Sequence, residues 1–184
     1  MTFWKKKDNL IITAFVTVFF VGLAYWYDLC CVNAAFFKSD PGNAFSIAIN
    51  DSTGQTSLDK FKGKPTIVYL WATWCPSCVK KMGTLNTFAK RFQDKGGNLV
   101  AVSQDKGGVS TVRAYFTRHD YKNLGIYVES TGHLSKALGI TGLPTTIFID
   151  AQGQEVGRAV GGLDWESDKV AGLVHQYFGI DLAQ

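Results

Sequence analysis

The chain has 184 residues, enough for one globular domain with a segment left over. A composition of 46% hydrophobic and 18% charged residues excludes a disordered chain, and four cysteines are too few for a disulfide-built mini-protein. The net charge of +4 is uneven. Lys5, Lys6 and Lys7 crowd the start beside Asp8, and the rest carries 16 basic against 14 acidic residues, which excludes a phosphate-tracking nucleic-acid binder with a clustered basic face.

Residues 10–27 (LIITAFVTVFFVGLAYWY) form an apolar run without a charge. About 18 residues lie at the lower end of what spans a bilayer core as a helix. Tyr25, Trp26 and Tyr27 close the run, where aromatic rings anchor at headgroup level. The lysines before it place residues 1–9 in the cytoplasm and everything after about residue 28 on the outer side. The competing reading is a cleaved signal peptide with Val32-Asn33-Ala34 as its site. The length of the run and the poor cleavage region from Asp28 to Val32 favour a retained anchor over residues 10–27. Asp28 and Leu29 before Cys30 are not the small residues that lipidation there would need.

Residues 28–44 read as a linker, and a globular domain is predicted over 45–184. Phe45, Ile47 and Ile49 alternate as a short strand, Asp51 to Gly54 is a turn, and Leu58 and Phe61 fall at helical spacing. Residues 66–71 (TIVYLW) read as a buried central strand. A helix is predicted from Pro76 to about Phe92, ended by Gly96-Gly97. There follow a strand at 99–103, a helix at 109–118, a short strand at 126–128 and a short helix at 132–138. Strands at 146–149 and 155–160 flank the Asp150 to Gly153 turn as a hairpin, and a helix over 165–178 closes the chain. Alternating strands and helices followed by a hairpin and a helix imply an α/β sandwich with a mixed sheet.

Cys75-Pro-Ser-Cys78 carries the chemistry, at the junction of the central strand and the following helix. Cys75 falls at the helix cap and Pro76 at the first helical position, where a missing N–H costs nothing. A helix N-terminus stabilises a thiolate, so the Cys75 thiol is expected below the range of a free one. Cys78, one turn later, is near enough to close a disulfide. The spacing thus supplies an exposed nucleophile and a resolving thiol. Zinc would need a second pair of ligands. Cys30 and Cys31 are adjacent and far upstream, and His119, His133 and His175 lack ligand spacing. Packing alone does not explain paired cysteines flanked by Trp74 and Pro76. The second element is Gly142-Leu-Pro144-Thr-Thr146, a proline at the opening of a strand.

Together, Trp74-Cys-Pro-Ser-Cys78 and Leu143-Pro144-Thr145 resemble the thioredoxin fold. Leu58 to Pro65 (LDKFKGKP), Trp71-Ala-Thr-Trp-Cys75, the extra segment at 109–121 and Gly161-Gly-Leu-Asp-Trp165 are similar to the membrane-anchored TlpA/ResA group, most closely its TlpA branch. The resemblance covers roughly residues 45–179. It implies a mixed central sheet flanked by helices, with an N-terminal extension and a central insert, preceded by one transmembrane helix. It also implies a redox-active Cys75–Cys78 disulfide and a cis Pro144 packed beside it. Trp74, Pro76, Leu143 and Pro144 would meet the substrate chain, which pairs with the backbone before the proline. No cofactor and no metal are implied. Members of this group are periplasmic thiol–disulfide reductases of the bacterial inner membrane. They act on apocytochrome c or on proteins of copper insertion into cytochrome oxidase, and a DsbD/CcdA-type transmembrane carrier re-reduces them.

Three positions depart from the pattern. Lys81 stands where many members carry a glutamate, Gly83 where they carry a proline, and Tyr69 where thioredoxin has a buried aspartate. Tyr69 reads as a core strand residue, and Lys80 and Lys81 as solvated lysines. The alternatives are a thiol oxidase or isomerase, and a non-catalytic copper-binding module with Cu(I) on Cys75 and Cys78 and with His133 or His175 as a further ligand. A peroxiredoxin is disfavoured because Ala72 stands where a Thr or Ser precedes the peroxidatic cysteine.

Overall fold

A continuous apolar strand can be satisfied only when both of its faces are covered, and TIVYLW is organised in that way. The computed structural model describes residues 35–37 and 48–182. Its strands are β1 (Ala35–Phe37), β2 (Ala48–Asp51), β3 (Gly54–Ser57), β4 (Thr66–Trp71), β5 (Asn98–Ser103), β6 (Tyr127–Val128), β7 (Thr145–Ile149) and β8 (Glu155–Val160). Its helices are α1 (Pro76–Val79), α2 (Met82–Asp94), α3 (Gly108–His119), α4 (His133–Ala137) and α5 (Asp168–Phe178), with a 3-10 turn at Leu58–Phe61. The strands form one mixed sheet in the order β1-β8-β7-β4-β5-β6-β2-β3. This is the thioredoxin-like α/β architecture.

All six residues of β4 are buried. Ile67, Tyr69 and Trp71 enter one core with Met82, Leu85, Phe88 and Phe92 of α2, Val112 and Phe116 of α3, and Val170 and Val174 of α5. Val68 and Leu70 enter a second core with Ile49, Leu58, Val100, Val102 and Leu134. The two-residue period of the strand therefore divides a single apolar run between two layers of helix.

Register determines which chain ends meet. β5 runs parallel to β4 with Trp71 opposite Ser103. β6 runs parallel to β5 with Ser103 opposite Val128. β7 runs antiparallel to β4 with Leu70 opposite Thr145. The residues just after β4, β5 and β6 and those just before β7 therefore gather at one end of the sheet.

Several elements differ from the sequence expectation. Residues 35–37, inside the segment read as a linker, pair antiparallel with β8. The first globular strand is described from Ala48, and β3, unassigned from sequence, pairs with β2 across the turn. The Asp51 carboxylate holds that turn by accepting from the Thr53 N–H and Oγ1 at 2.8 and 2.7 Å. The closing helix begins at Asp168 because Ser167 caps it, accepting from the Val170 N–H at 3.4 Å. Trp165 precedes it as a buried loop residue. The single helix predicted over 76–92 is two helices. The Cys78 carbonyl accepts from the Lys81 N–H at 3.0 Å and from the Tyr69 hydroxyl at 3.4 Å. A side chain entering the backbone ladder and an i→i−3 bond together break the helix without any proline. Among the described residues no helix is long and apolar enough to cross a membrane. Residues 1–9, the apolar run at 10–27, and Cys30 and Cys31 lie outside them.

Candidate functional site

The gathered end of the sheet carries the paired cysteines. After β4 the chain makes a turn closed by the Cys75 N–H on the Ala72 carbonyl at 3.2 Å. Cys75 caps α1 in extended conformation, Pro76 follows at the first helical positions, and the Cys75 sulfur accepts from the Cys78 N–H at 3.3 Å. Ser77 Oγ lies 3.3 Å from the same sulfur. Because α1 is only four residues long, what the structure sets beside that sulfur is this local backbone N–H and hydroxyl rather than a long helix dipole. Cys75 and Cys78 are joined in a disulfide. The two sulfurs differ in access: Cys78 is fully buried, whereas Cys75 is 5% exposed and lines a surface groove.

The groove has a volume of about 510 Å³. Trp74, Cys75, Pro76 and Ser77 form one side, and Ile140, Thr141, Gly142 and Leu143 form the other. Gln104, after β5, and Ser135, on α4, complete it, with the Gln104 amide donating to the Ser135 hydroxyl. No lining residue is charged. Trp74 is 66% exposed, the only large hydrophobic side chain so placed among the described residues. Pro144 is buried behind Leu143, the Leu143–Pro144 bond is cis, and the Pro144 carbonyl accepts from the Gly161 N–H at 2.8 Å. A methyl group on Gly162 would lie 3.5 Å from Lys81 Cγ and 3.7 Å from the Ser77 carbonyl. The loop after β8 thus joins the proline segment to the cysteine helix.

Trp74, Pro76 and Leu143 are therefore brought to Cys75 along one groove. Tyr69 is a buried core residue, and its hydroxyl also reaches the Cys78 carbonyl. Burial, and secondarily the nearby Tyr115, pushes the Tyr69 hydroxyl above the ordinary tyrosine range. His133 opens α4 and His175 lies on α5, and among the described residues no group of three or more His, Cys, Asp or Glu is placed to hold a metal. Gln104, Asp105, Ser135 and Glu129 were not singled out by sequence. Their one available signal is position, since each lies just past a strand end or on the short helix that follows one. Glu129 is buried and organises α4: its carboxylate accepts from the Thr131 N–H at 2.8 Å, the Thr131 hydroxyl and the Leu134 N–H at 3.0 Å. Burial alone would raise this carboxyl, and the hydrogen bonds outweigh it, leaving the group below the usual range.

A mixed sheet that delivers a Cys-X-X-Cys helix start and a cis-proline loop to one groove defines a thioredoxin-like thiol–disulfide oxidoreductase. The Redoxin family model matches residues 37–175, and the chain belongs to that family. It is 28% identical over 112 residues to the thiol-disulfide oxidoreductase ResA of Bacillus thuringiensis subsp. konkukian, covering 60% of this chain and 64% of that relative. It is 33% identical over 134 residues to the thiol:disulfide interchange protein DsbE of Pseudomonas fluorescens biotype C, covering 71% and 72% respectively. Among solved structures, the pneumococcal exposed lipoprotein thioredoxin Etrx1 of Streptococcus pneumoniae is similar, at 25% identity and a TM-score of 0.60 over 71% of this chain and 98% of that one.

Proposed function

We propose that the chain is a membrane-anchored reductase of protein disulfides, held by residues 10–27 in a bacterial inner membrane with its thioredoxin-like domain in the periplasm. Its clients are disulfide-bonded proteins of cytochrome c maturation or of copper-site assembly in cytochrome oxidase. A DsbD/CcdA-type transmembrane carrier supplies its electrons. The Cys75 thiolate attacks one sulfur of the client disulfide, breaking that S–S bond and forming a mixed disulfide, and the released client thiolate takes up a proton. The Cys78 thiolate then attacks the Cys75 sulfur, expelling the second client thiolate and closing the Cys75–Cys78 disulfide. Two electrons pass to the client, and the carrier's dithiol restores the pair.

The single observation that supports this reading is the asymmetry of the two sulfurs: Cys75 opens on an uncharged groove beside Trp74 and Leu143, while Cys78 is enclosed. Such a groove suits an extended peptide on either side of its cysteine, paired through the backbone before Pro144. The test is trapping in intact cells. Cys78→Ala should accumulate client mixed disulfides on Cys75, and Cys75→Ala should accumulate none. Equal trapping by both variants overturns the assignment of roles. A reduction potential near that of thioredoxin, about −270 mV, supports the reductive direction, and one near about −120 mV would make the protein an oxidase.

A further inference from the structure

Asp105 is 3% exposed, sits just past the end of β5, and takes no part in the thiol chemistry described above. Its carboxylate collects three donors. Oδ2 accepts from the Thr73 N–H at 2.9 Å and from the Ser103 hydroxyl at 2.6 Å, and Oδ1 accepts from the Thr73 hydroxyl at 2.6 Å. The Asp105 N–H donates in turn to Ser103 Oγ at 3.0 Å. The reach spans 32 residues of sequence and follows from register: Trp71 lies opposite Ser103, so the residues two further on face each other past the strand ends.

Thr73 is the second residue of the Ala72–Cys75 turn and Trp74 the third. The sulfur of Cys75 is held separately, by the Cys78 N–H and the start of α1. A clamp on Thr73 therefore acts on the direction of Trp74, the exposed wall of the groove, and not on the sulfur. A large aromatic ring in solvent has no packing of its own to fix its backbone, so the turn beneath it must be fixed from below.

We propose that Asp105 is a positioning residue for client capture: by clamping Thr73 it holds Trp74 as one wall of the groove beside Cys75. This rests on the reading that the groove receives the client disulfide. The test uses the full chain with an internally disulfide-bonded octapeptide as probe and a small dithiol, dithiothreitol, as the reductant that restores the Cys75–Cys78 dithiol, its direct reduction of the peptide subtracted, and compares Asp105→Asn, Thr73→Val, their double variant and Thr73→Ser. In parallel, 5-fluorotryptophan is incorporated and the Trp74 fluorine resonance assigned by its loss in Trp74→Phe. Asp105→Asn and Thr73→Val should each raise KM about tenfold, as expected for loss of a hydrogen bond to a carboxylate. Neither should change kcat or the pH curve of Cys75 alkylation. Both should move the Trp74 resonance, the double variant should be no worse than the singles, and Thr73→Ser should hold KM within about twofold. Unchanged KM overturns the proposal, and so does a change confined to kcat or to the alkylation curve. If the wild type reduces no peptide, the reductase reading fails instead. The Trp74 resonance then decides alone: a shift in both variants upholds the clamp, and its absence removes it.

Discussion

Replacing Tyr69 by phenylalanine tests whether the active site has lost a proton-handling group or never used one at this position. The ring is fully buried and lies edge-on to Trp165 with 5.8 Å between centroids. Phenylalanine keeps that ring, so the roughly 3–5 kcal/mol of an aromatic-to-alanine truncation does not arise. The Cys78 carbonyl keeps its bond from the Lys81 N–H at 3.0 Å, so no buried acceptor is orphaned. The loss reduces to one long neutral hydrogen bond, about 0.5–1 kcal/mol, or about 1–4 °C in Tm for a domain of this size. Because burial raises the hydroxyl's pKa, Tyr69 stays neutral throughout the range in which thiols titrate and accepts no proton from either cysteine. The same shift has a defined sign for stability. The unfolded chain ionises this tyrosine at about pH 10 while the folded protein holds the proton to higher pH, so stability is complete below the unfolded value and falls as pH rises beyond it. Tyr69→Phe should remove this part of the alkaline loss. The assay pairs urea unfolding of the oxidised protein at neutral and alkaline pH with iodoacetamide alkylation of the reduced protein across pH. A stability loss above about 3 kcal/mol, or a displaced midpoint for Cys75 alkylation, would refute the reasoning and place the Tyr69 hydroxyl in the proton path.

Three further substitutions probe the frame of the site and the packing of the helices around it. Glu129→Gln removes the carboxylate that binds Thr131 and Leu134, and should cost about 1 kcal/mol at neutral pH, read by urea unfolding. Since the folded carboxyl lies below its ordinary range, its contribution is present above the unfolded value and lost as pH falls, so the variant should show a shallower acid limb. Gly97→Ala would place a methyl carbon 2.3 Å from the buried Phe92 ring and should destabilise by about 1–3 kcal/mol, measured as a lowered Tm. Gly172→Ala, in α5 with nothing within 4 Å, should instead stabilise by about 0.4–1 kcal/mol, and equal effects from the two would discount the steric account.

What the sequence determined by itself was local. TIVYLW announces a strand buried on both faces because β-branched and aromatic residues without polar alternation have no solvent face to offer. Cys75-Pro-Ser-Cys78 announces a helix start because proline tolerates only the first turn, and the Asp150 to Gly153 turn announces its hairpin. These signals lie within a few residues of the structure they specify. The break between α1 and α2 has no such signal, because it falls where the Lys81 N–H turns back to the Cys78 carbonyl, which the Tyr69 hydroxyl, nine residues upstream, also reaches. The groove is likewise assembled from residues near 75, 104, 135 and 142, and no periodicity relates those positions. Asp105 and Thr73 meet only because two parallel strands align Trp71 with Ser103. Register is set by the packing of whole faces, so contacts beyond the strand ends, where this protein keeps its site, were decided by the tertiary structure alone.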